Sequence, residues 1–426
     1  VLTGSFWSFG SYGVNQAIRL GNNLILSRLL FPEAFGLMSL VQVFMQGLEM
    51  FSDIGINPSI VQNERRDRDF LNTAWTIQVI RGFFLWFGAS LLAWPAATFY
   101  DEPMLLQLLP VVGSTAAIRG FRSTKLAVRT RELKLAKPIL MELGSYILGV
   151  ITMISFALIY PSVWALVVGG IVGAIANTIS SHFILSGEPN RFAWDASAFE
   201  AIKNFGKWIF FSTLVTYLAG EGDRLLLGNF LSFELLGIFS IANMLSRTIS
   251  QAVKKVSGQV LFPSYSEVIR ERPHHLYSQF RKSRLVIVIV TWIPSLIFLF
   301  FGSNIIDFLY DDRYSAAGWM LQIFAAGQLV DCLSLSSDKV LLAKGLANIN
   351  AFLLSFQVGM KLLGIFLGFQ LGGIEGLIIS LAAVNWLIYP VRAYFFKRLS
   401  LWQPEVDFPV IALASIIIGI RFVVLP

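Results

Sequence analysis

The stretch Leu26–Asn57, LSRLLFPEAFGLMSLVQVFMQGLEMFSDIGIN, reads as the end of one membrane span, a tight turn at Phe31-Pro32-Glu33, and a second span. Proline fixes φ and lacks a backbone N–H, so Pro32 suits a turn or a first helical position rather than a span interior. The same pattern returns 201 residues later. LGNFLSFELLGIFSI, starting at Leu227, pairs Leu26/Leu227, Leu30/Leu231, Glu33/Glu234, Gly36/Gly237 and Ser39/Ser240 without a gap. Extended backward, the register pairs Trp7/Trp208, Ser11/Ser212, Val14/Val215, Gly21/Gly222 and Leu24/Leu225. A repeat of this length marks a chain built from two halves, as in transporters whose ligand path lies between repeats.

Composition sets the solvent. Of 426 residues 55% are hydrophobic and only 14% charged, with a mean hydropathy of +0.67. A soluble domain carries roughly a quarter charged residues. One hydrocarbon crossing takes about 20 apolar residues, and only helices or closed barrels can cross. Apolar runs of helical span length fall at 5–27, 34–57, 73–98, 104–121, 138–160, 163–186, 206–229, 234–254, 285–307, 316–340, 350–371, 374–396 and 408–425. The expected fold class is an all-α polytopic membrane protein of two pseudo-symmetric six-helix lobes, 1–190 and 200–400, with a further C-terminal helix at 401–426. The first run lacks an n-region and a cleavage site and so reads as a membrane helix, not a signal peptide. The odd span count, with Pro426 directly after an apolar run, leads us to expect a trimmed chain missing a fourteenth helix. The single cysteine, Cys332, lies in a span, which excludes an intrachain disulfide.

Basic residues cluster after even-numbered spans. They include Arg65, Arg66 and Arg68; Arg119, Arg122, Lys125, Arg129 and Arg131; Lys203 and Lys207; Arg270, Arg272, Arg281 and Arg284; and Arg392, Lys397 and Arg398. The opposite face holds little beyond Arg28, Arg224 and Arg313. This asymmetry places the even connections and the N-terminus in the cytoplasm. It also accounts for the net charge of +7 without a nucleic-acid partner. Gly120–Pro138 is expected to extend the fourth helix outward. Val256–Arg284, broken at Pro273, is expected to form two amphipathic pieces on the headgroup surface. The connections on the other face are too short for a catalytic domain. The three histidines, His182, His274 and His275, have no metal-ligand spacing, and no phosphate-cradling loop or activated nucleophile is recognisable.

Polar stripes at helical spacing mark the faces turned away from lipid. Span 1 carries Ser8, Ser11 or Tyr12, Asn15, Arg19, Asn22 and Asn23; span 2 carries Gln42, Gln46, Glu49, Asp53 and Asn57. Span 8, the repeat partner of span 2, carries Ser240, Asn243, Arg247, Ser250, Gln251 and Lys254. Span 7 adds Thr216, Gly220, Glu221, Asp223 and Arg224; span 10 Gln328, Asp331, Ser334 and Asp338; span 11 Asn350, Gln357 and Lys361. Arg81 lies in span 3 and Glu142 opens span 5, where it is expected to face headgroups. Each stripe has a structural alternative. Asp53, Arg224, Lys254 and Asp338 lie near span ends and can snorkel. Glu221, Asp223 and Arg224 can close the end of span 7 as local ion pairs, and Asn and Gln can join helices. Arg19, Arg247 and Lys361 lie deeper, where a cation costs about 2.5–3.5 kcal/mol on an insertion scale.

The span–LSRLLFPEAFGL–span pattern ending in SDIGINPSIVQ resembles the opening of the polysaccharide-export, or oligosaccharide flippase, branch of the multidrug/oligosaccharidyl-lipid/polysaccharide exporter superfamily. FPSYSEVIRERPHHLYSQFRKS and the span-turn-span Trp292–Lys344 are similar to the same family, nearest its colanic-acid-exporter-like members. The resemblance implies that spans 1, 2, 7 and 8 line a cleft between two six-helix lobes. It further implies flipping of an isoprenoid-pyrophosphate-linked oligosaccharide from the cytoplasmic to the outer leaflet of the inner membrane. Arginine suits bidentate phosphate contact, so Arg19, Arg247 and Lys361 are the candidates for the pyrophosphate. Asn15, Gln42, Gln46 and Asn243 are the candidates for sugar. Glu49, Asp53, Asp331 and Asp338 are candidates for a coupling Na⁺ or proton. No other cofactor is expected, and the partners implied are the lipid-linked oligosaccharide, membrane lipids, and polysaccharide polymerase and export machinery. Two alternatives stand beside this reading: a cation-coupled drug exporter, and a membrane glycan polymerase or ligase. For the arginines, the structural alternative pairs Arg19 with Glu49 or Asp53 and Arg247 with Asp331.

Overall fold

The computed structural model describes residues 2–53, 55–62, 65, 67–132, 134–206 and 209–424. Within these, the side chains of 2–9, 11, 62, 201, 203–206, 209–215 and 219 are not described. Trp7, Ser8, Ser11, Trp208, Ser212, Val215, Arg66, Lys203 and Lys207, used above, therefore lie outside the described side chains. Two compact units result, Val1–Tyr217 and Leu218–Pro426. The first contains α1 (Leu2–Leu29), α2 (Pro32–Phe51), α3 (Ile56–Gln62), α4 (Arg68–Phe99), α5 (Leu105–Gly120), α6 (Lys125–Arg131), α7 (Ala136–Ile159), α8 (Val163–Phe183) and α9 (Ala196–Gly206). The second contains most of α10 (Ile209–Phe230), then α11 (Phe233–Val256), α12 (Phe262–Glu271), α13 (Leu276–Leu309), α14 (Ala317–Asp331), α15 (Ser337–Ala343), α16 (Ala347–Arg398) and α17 (Pro404–Gly419).

The repeat is a repeat of backbone. In each unit the first helix of the pair ends with one last bond, Leu30 N–H to Leu26 C=O and Leu231 N–H to Leu227 C=O, both 2.8 Å, and all four leucines are buried. The next residue is extended, and the second helix starts one position on, at Pro32 or Phe233. The two turns solve the helix start differently. Pro32 at N1 has no N–H to satisfy, whereas the Ser232 side chain accepts the Leu235 N–H at 3.3 Å.

Seven described segments have the length and apolarity to cross a membrane: Pro32–Phe51, Arg68–Phe99, Ala136–Ile159, Val163–Phe183, Pro273–Leu309, Ala347–Arg398 and Pro404–Val424. The other expected spans are helical too. Polar stripes make α1, α10 and α11 less apolar, and α5 and α14 are only 16 and 15 residues long. α16 holds two expected spans, separated at Gly373, whose φ of 57° and ψ of −136° only glycine adopts readily. The run expected at 316–340 is not one span. α14 stops at Asp331, and successive tight turns, among them Ser334 N–H to Asp331 C=O at 2.8 Å, precede α15.

Short helices and loops gather at one end of each unit. In the first, Ile56 and Ile60 of α3, Phe70, Ala74 and Ile77 of α4, Ala127 of α6, and Ala198 and Ile202 of α9 form one buried cluster. Residues 191–195 run extended along the first turns of α4, where Asn72, Thr73 and Thr76 accept the N–H groups of Arg191, Asp195 and Ala193 at 3.1, 2.9 and 3.1 Å. The segment after the sixth span is thus bound to the first unit and is not a loose linker. Arg65 forks onto Asp67 at 3.0 and 2.8 Å, and Asp67 caps the Phe70 N–H. The Arg65 hydrogen bonds hold the Asp67 carboxyl well below its ordinary value, at about 2. In the second unit, Tyr265 of α12, Leu276 and Phe280 of α13, Val340 and Leu341 of α15, Leu353 and Phe396 of α16, and Leu401 form the corresponding core.

Two expectations for these connections are corrected. α5 does not extend outward: it ends at Gly120, where an added Cβ would meet the Gln78 carbonyl at 3.1 Å, and α6 is a separate helix tied back by Lys125 to the His182 carbonyl at 3.0 Å. Val256–Arg284 divides at Pro273 as expected, with α12 as the first piece. The second piece is not separate but is the start of the 34-residue α13, and α12 is anchored inward by Tyr265, which is completely buried.

Candidate functional site

In the second unit the polar stripes of α10, α11, α14 and α16 converge on Asp223. Its carboxylate is buried, with Oδ2 2.6 Å from Arg247 Nη2. Arg247 Nη1 donates to the Gly220 carbonyl at 3.1 Å, and the Arg224 N–H donates to Asp223 Oδ1 at 3.0 Å. Lys361 lies within electrostatic reach of Asp223, Arg247, Asp331 and Lys254. Arg224 pairs with Glu221 at 3.0 Å. Asn243, one turn before Arg247, is buried, and its Nδ2 has no hydrogen-bond partner among the described residues. A helix hydrophobic in three directions tolerates this face only because charges of opposite sign meet there.

The first unit holds an open cavity of ≈ 720 Å³ lined by α2 to α8. Three arginines, Arg81, Arg119 and Arg122, and three carboxylates, Glu49, Asp53 and Glu142, line it. Arg81 donates to Glu49 C=O at 2.6 Å, and to Ser52 C=O at 2.9 Å and Ser52 Oγ at 3.0 Å. Arg119 meets Glu49 at 3.3 Å, and Arg122 reaches Asn177 Oδ1 at 2.5 Å and Glu142 at 3.1 Å. Glycine permits the wall helices to close. A Cβ on Gly82 would lie 2.7 Å from the Ala116 carbonyl, and one on Gly149 would lie 2.9 Å from the Gly169 carbonyl.

A third network lies beside α17. Arg284 and Asp407 form an ion pair at 2.5 Å that is almost wholly buried, and the Tyr389 hydroxyl donates to Asp407 Oδ2 at 2.9 Å. Arg392 meets Asp338 at 3.1 Å nearby. Asp338, a coupling-ion candidate by sequence, thus has an arginine partner.

Gln42, Glu49 and Asp53 line the first unit's cavity. Gln46 is exposed and makes only a weak contact to Met50 Sδ, at 3.9 Å. Asn15 is half-buried on α1, one turn before Arg19. Arg19 faces Tyr146 of the cavity wall, and its buried Nε is unpartnered among the described residues. Its suggested carboxylates are engaged elsewhere: Glu49 with Arg119, and Asp53 Oδ1 with the Gly55 N–H at 2.9 Å. Arg247 pairs with Asp223, not with Asp331. Glu142, exposed and paired with Arg122, lines the cavity. Sequence reasoning gave no site role to Asp223, Arg81, Arg122, Tyr146 or Asn177. The signal available for Arg81 was a charge inside an apolar run, and for Asp223 its place in the polar stripe of span 7.

Residues 25–318 match the family described as polysaccharide biosynthesis protein. The chain belongs to that family. Within it, this polysaccharide biosynthesis family member is 20% identical over 427 residues to the lipopolysaccharide biosynthesis protein WzxC of Escherichia coli, covering 95% of this chain and 84% of the relative. It is 21% identical over 248 residues to the succinoglycan biosynthesis transport protein ExoT of Rhizobium meliloti, covering 58% of this chain and 50% of that relative. The matched part thus spans half of ExoT. Among solved structures, the lipid II flippase MurJ in an inward closed conformation aligns with a TM-score of 0.69 at 12% identity, covering 99% of this chain and 92% of that one. An inward-facing multidrug resistance MATE transporter of the MOP superfamily aligns with a TM-score of 0.67 at 11% identity, covering 94% and 95%. At these identities the likeness establishes the fold: the all-α, multi-pass membrane architecture of that superfamily, as the turn at Pro32 and its repeat led us to expect.

Proposed function

We propose that this family member is a flippase that carries an isoprenoid-pyrophosphate-linked oligosaccharide from the cytoplasmic to the outer leaflet of the inner membrane. The observation that carries the proposal is the match of residues 25–318 to the polysaccharide biosynthesis family. The relatives' printed roles in lipopolysaccharide and succinoglycan biosynthesis support it. So does the polar interior of helices that are otherwise apolar. The protein acts as a transporter and not as an enzyme, by alternating access, with 1–190 and 200–400 as the lobes and 401–426 as an added helix. The N-terminus lies in the cytoplasm, where the basic connections meet anionic headgroups. Polysaccharide polymerase and export machinery take the product.

In this proposal Arg247 and Lys361 of the second unit, and Arg19 of the first, contact the pyrophosphate; Asn15, Gln42, Gln46 and Asn243 contact sugar. Glu49, Asp53, Asp331 and Asp338 are the coupling candidates for Na⁺ or a proton. Arg247 is suited to its role because a pyrophosphate can replace Asp223 on its guanidinium without changing the charge type of the partner. The test is reconstitution in proteoliposomes with a fluorescent lipid-linked oligosaccharide, scored by its accessibility to an impermeant lectin. Wild-type protein should expose the glycan on the far leaflet, and the Arg19→Ala, Arg247→Ala double variant should not. A wild-type protein that inserts correctly and leaves the glycan inaccessible would overturn the proposal.

A further inference from the structure

We infer that the cavity inside the first unit is a glycan subsite, built to hold uncharged sugar residues of the transported molecule and not its pyrophosphate. The inference rests on the flippase reading and adds where, and by what chemistry, the sugar is held. A phosphate presents only acceptors and needs a surplus of cations. This cavity has three arginines balanced by three carboxylates. Each arginine is already engaged, by backbone carbonyls, by Glu49, or by Glu142 and Asn177. Sugar hydroxyls donate and accept at once. They fit a wall in which carboxylates, amide oxygens and guanidinium edges alternate.

Size and shape point the same way. The ≈ 720 Å³ volume lies inside the roughly 300–1,000 Å³ range of small-molecule sites. It is large for one sugar ring. One part of the wall has no packing explanation. Gly149 and Gly169 are glycines because α7 and α8 touch there: a Cβ on either would strike the other's carbonyl, at 2.9 and 2.7 Å. Gly170 also lines the cavity, yet a Cβ on it would meet nothing within 4 Å. Helix packing does not require that glycine, and its replacement by alanine would favour the helix by about 0.8–1 kcal/mol. Its bareness keeps room in the cavity. Tyr146, in the lining, carries both an aromatic ring and a hydroxyl, and so suits the apolar and polar sides of a sugar ring.

The experiment compares two substrates on the same isoprenoid pyrophosphate, one bearing a single sugar and one bearing a full repeat unit, in proteoliposomes. Gly170→Phe adds bulk to the cavity wall at a position where an added Cβ meets nothing within 4 Å. It should slow the full repeat unit by about tenfold or more relative to the single-sugar lipid, because discrimination is set by what the pocket admits. Asn177→Leu and Tyr146→Phe remove hydrogen-bonding groups without adding bulk and should shift the same ratio in the same direction. They carry the test if Gly170→Phe does not fold. A merely structural role would lower both rates together and leave the ratio unchanged. Wild-type flipping of both lipids with an unaltered ratio in all folded variants would overturn the inference alone. Absence of flipping by wild-type protein would overturn the flippase reading on which it rests.

Discussion

Replacing Arg247 with alanine strands Asp223. The carboxylate is 3% exposed and loses a guanidinium at 2.6 Å. Removing one partner of a buried pair costs about 3–5 kcal/mol, since the remaining charge is neither hydrated nor paired. Here the lower end applies: Asp223 Oδ1 still accepts the Arg224 N–H at 3.0 Å, and Lys361 stays within electrostatic reach. The expected loss is about 3 kcal/mol, or roughly 150-fold in the folding equilibrium. Denaturant titration of the purified protein in detergent, followed by tryptophan fluorescence, measures it. Adding Asp223→Ala should recover most of the loss, because no carboxylate is then left without its guanidinium and Lys361 keeps Asp331 within reach. The same double variant separates structure from function. If Arg247 contacts the pyrophosphate, Arg247→Ala with Asp223→Ala is stable yet does not flip. An Arg247→Ala protein as stable as wild type would refute the reasoning, and so would a double variant no more stable than the single one.

The Arg284–Asp407 pair, 5% and 2% exposed, should behave likewise: Arg284→Ala loses about 3–5 kcal/mol, while Arg284→Met with Asp407→Leu stays close to wild type. Limited proteolysis near α17 and the unfolding midpoint both report it. Asp67 has a folded value of about 2, below the ordinary carboxylate value of about 3.9, so its contribution is present above the ordinary value. It is lost as pH falls through the folded one. With Arg65 33% and Asp67 44% exposed, solvent screening leaves under about 1 kcal/mol. Hydrogen exchange at the start of α4 should therefore show a modest loss of protection between about pH 4 and 2, and Asp67→Asn should abolish that step. Gly82→Ala should cost about 1–3 kcal/mol because α4 and α5 must part. Gly170→Ala, a substitution of the same kind in open space, should not lower the melting temperature.

Some of this was legible in the chain itself. The span–turn–span unit at Leu26–Asn57 and its copy at Leu227 could be read directly, because a helix stop is local: one proline or one capping serine, next to apolar residues of span length. The polar faces of α1, α2, α10 and α11 could be read for the same reason, since side chains three and four positions apart share a helix face whatever the helix packs against. Partnership could not be read in this way. Arg247 meets Asp223 and not Asp331, and Glu49 meets Arg119 and not Arg19, because a salt bridge depends on which helices touch and at what height. Gln42 and Gln46 lie one turn apart on the same stripe, yet only Gln42 lines the cavity. The stop of α14 at Asp331 was hidden as well. No proline or glycine marks it, and the Ser337 hydroxyl bonded to the Leu333 carbonyl at 3.0 Å helps hold the turns that follow. The cavity in the first unit is the clearest case. Its charges come from α2, α4, α5 and α7 and the turns after α2 and α5, up to 93 residues apart between Glu49 and Glu142. Local sequence periodicity specifies which face of each helix is polar; only the packing of α2 to α8 brings those faces round one space.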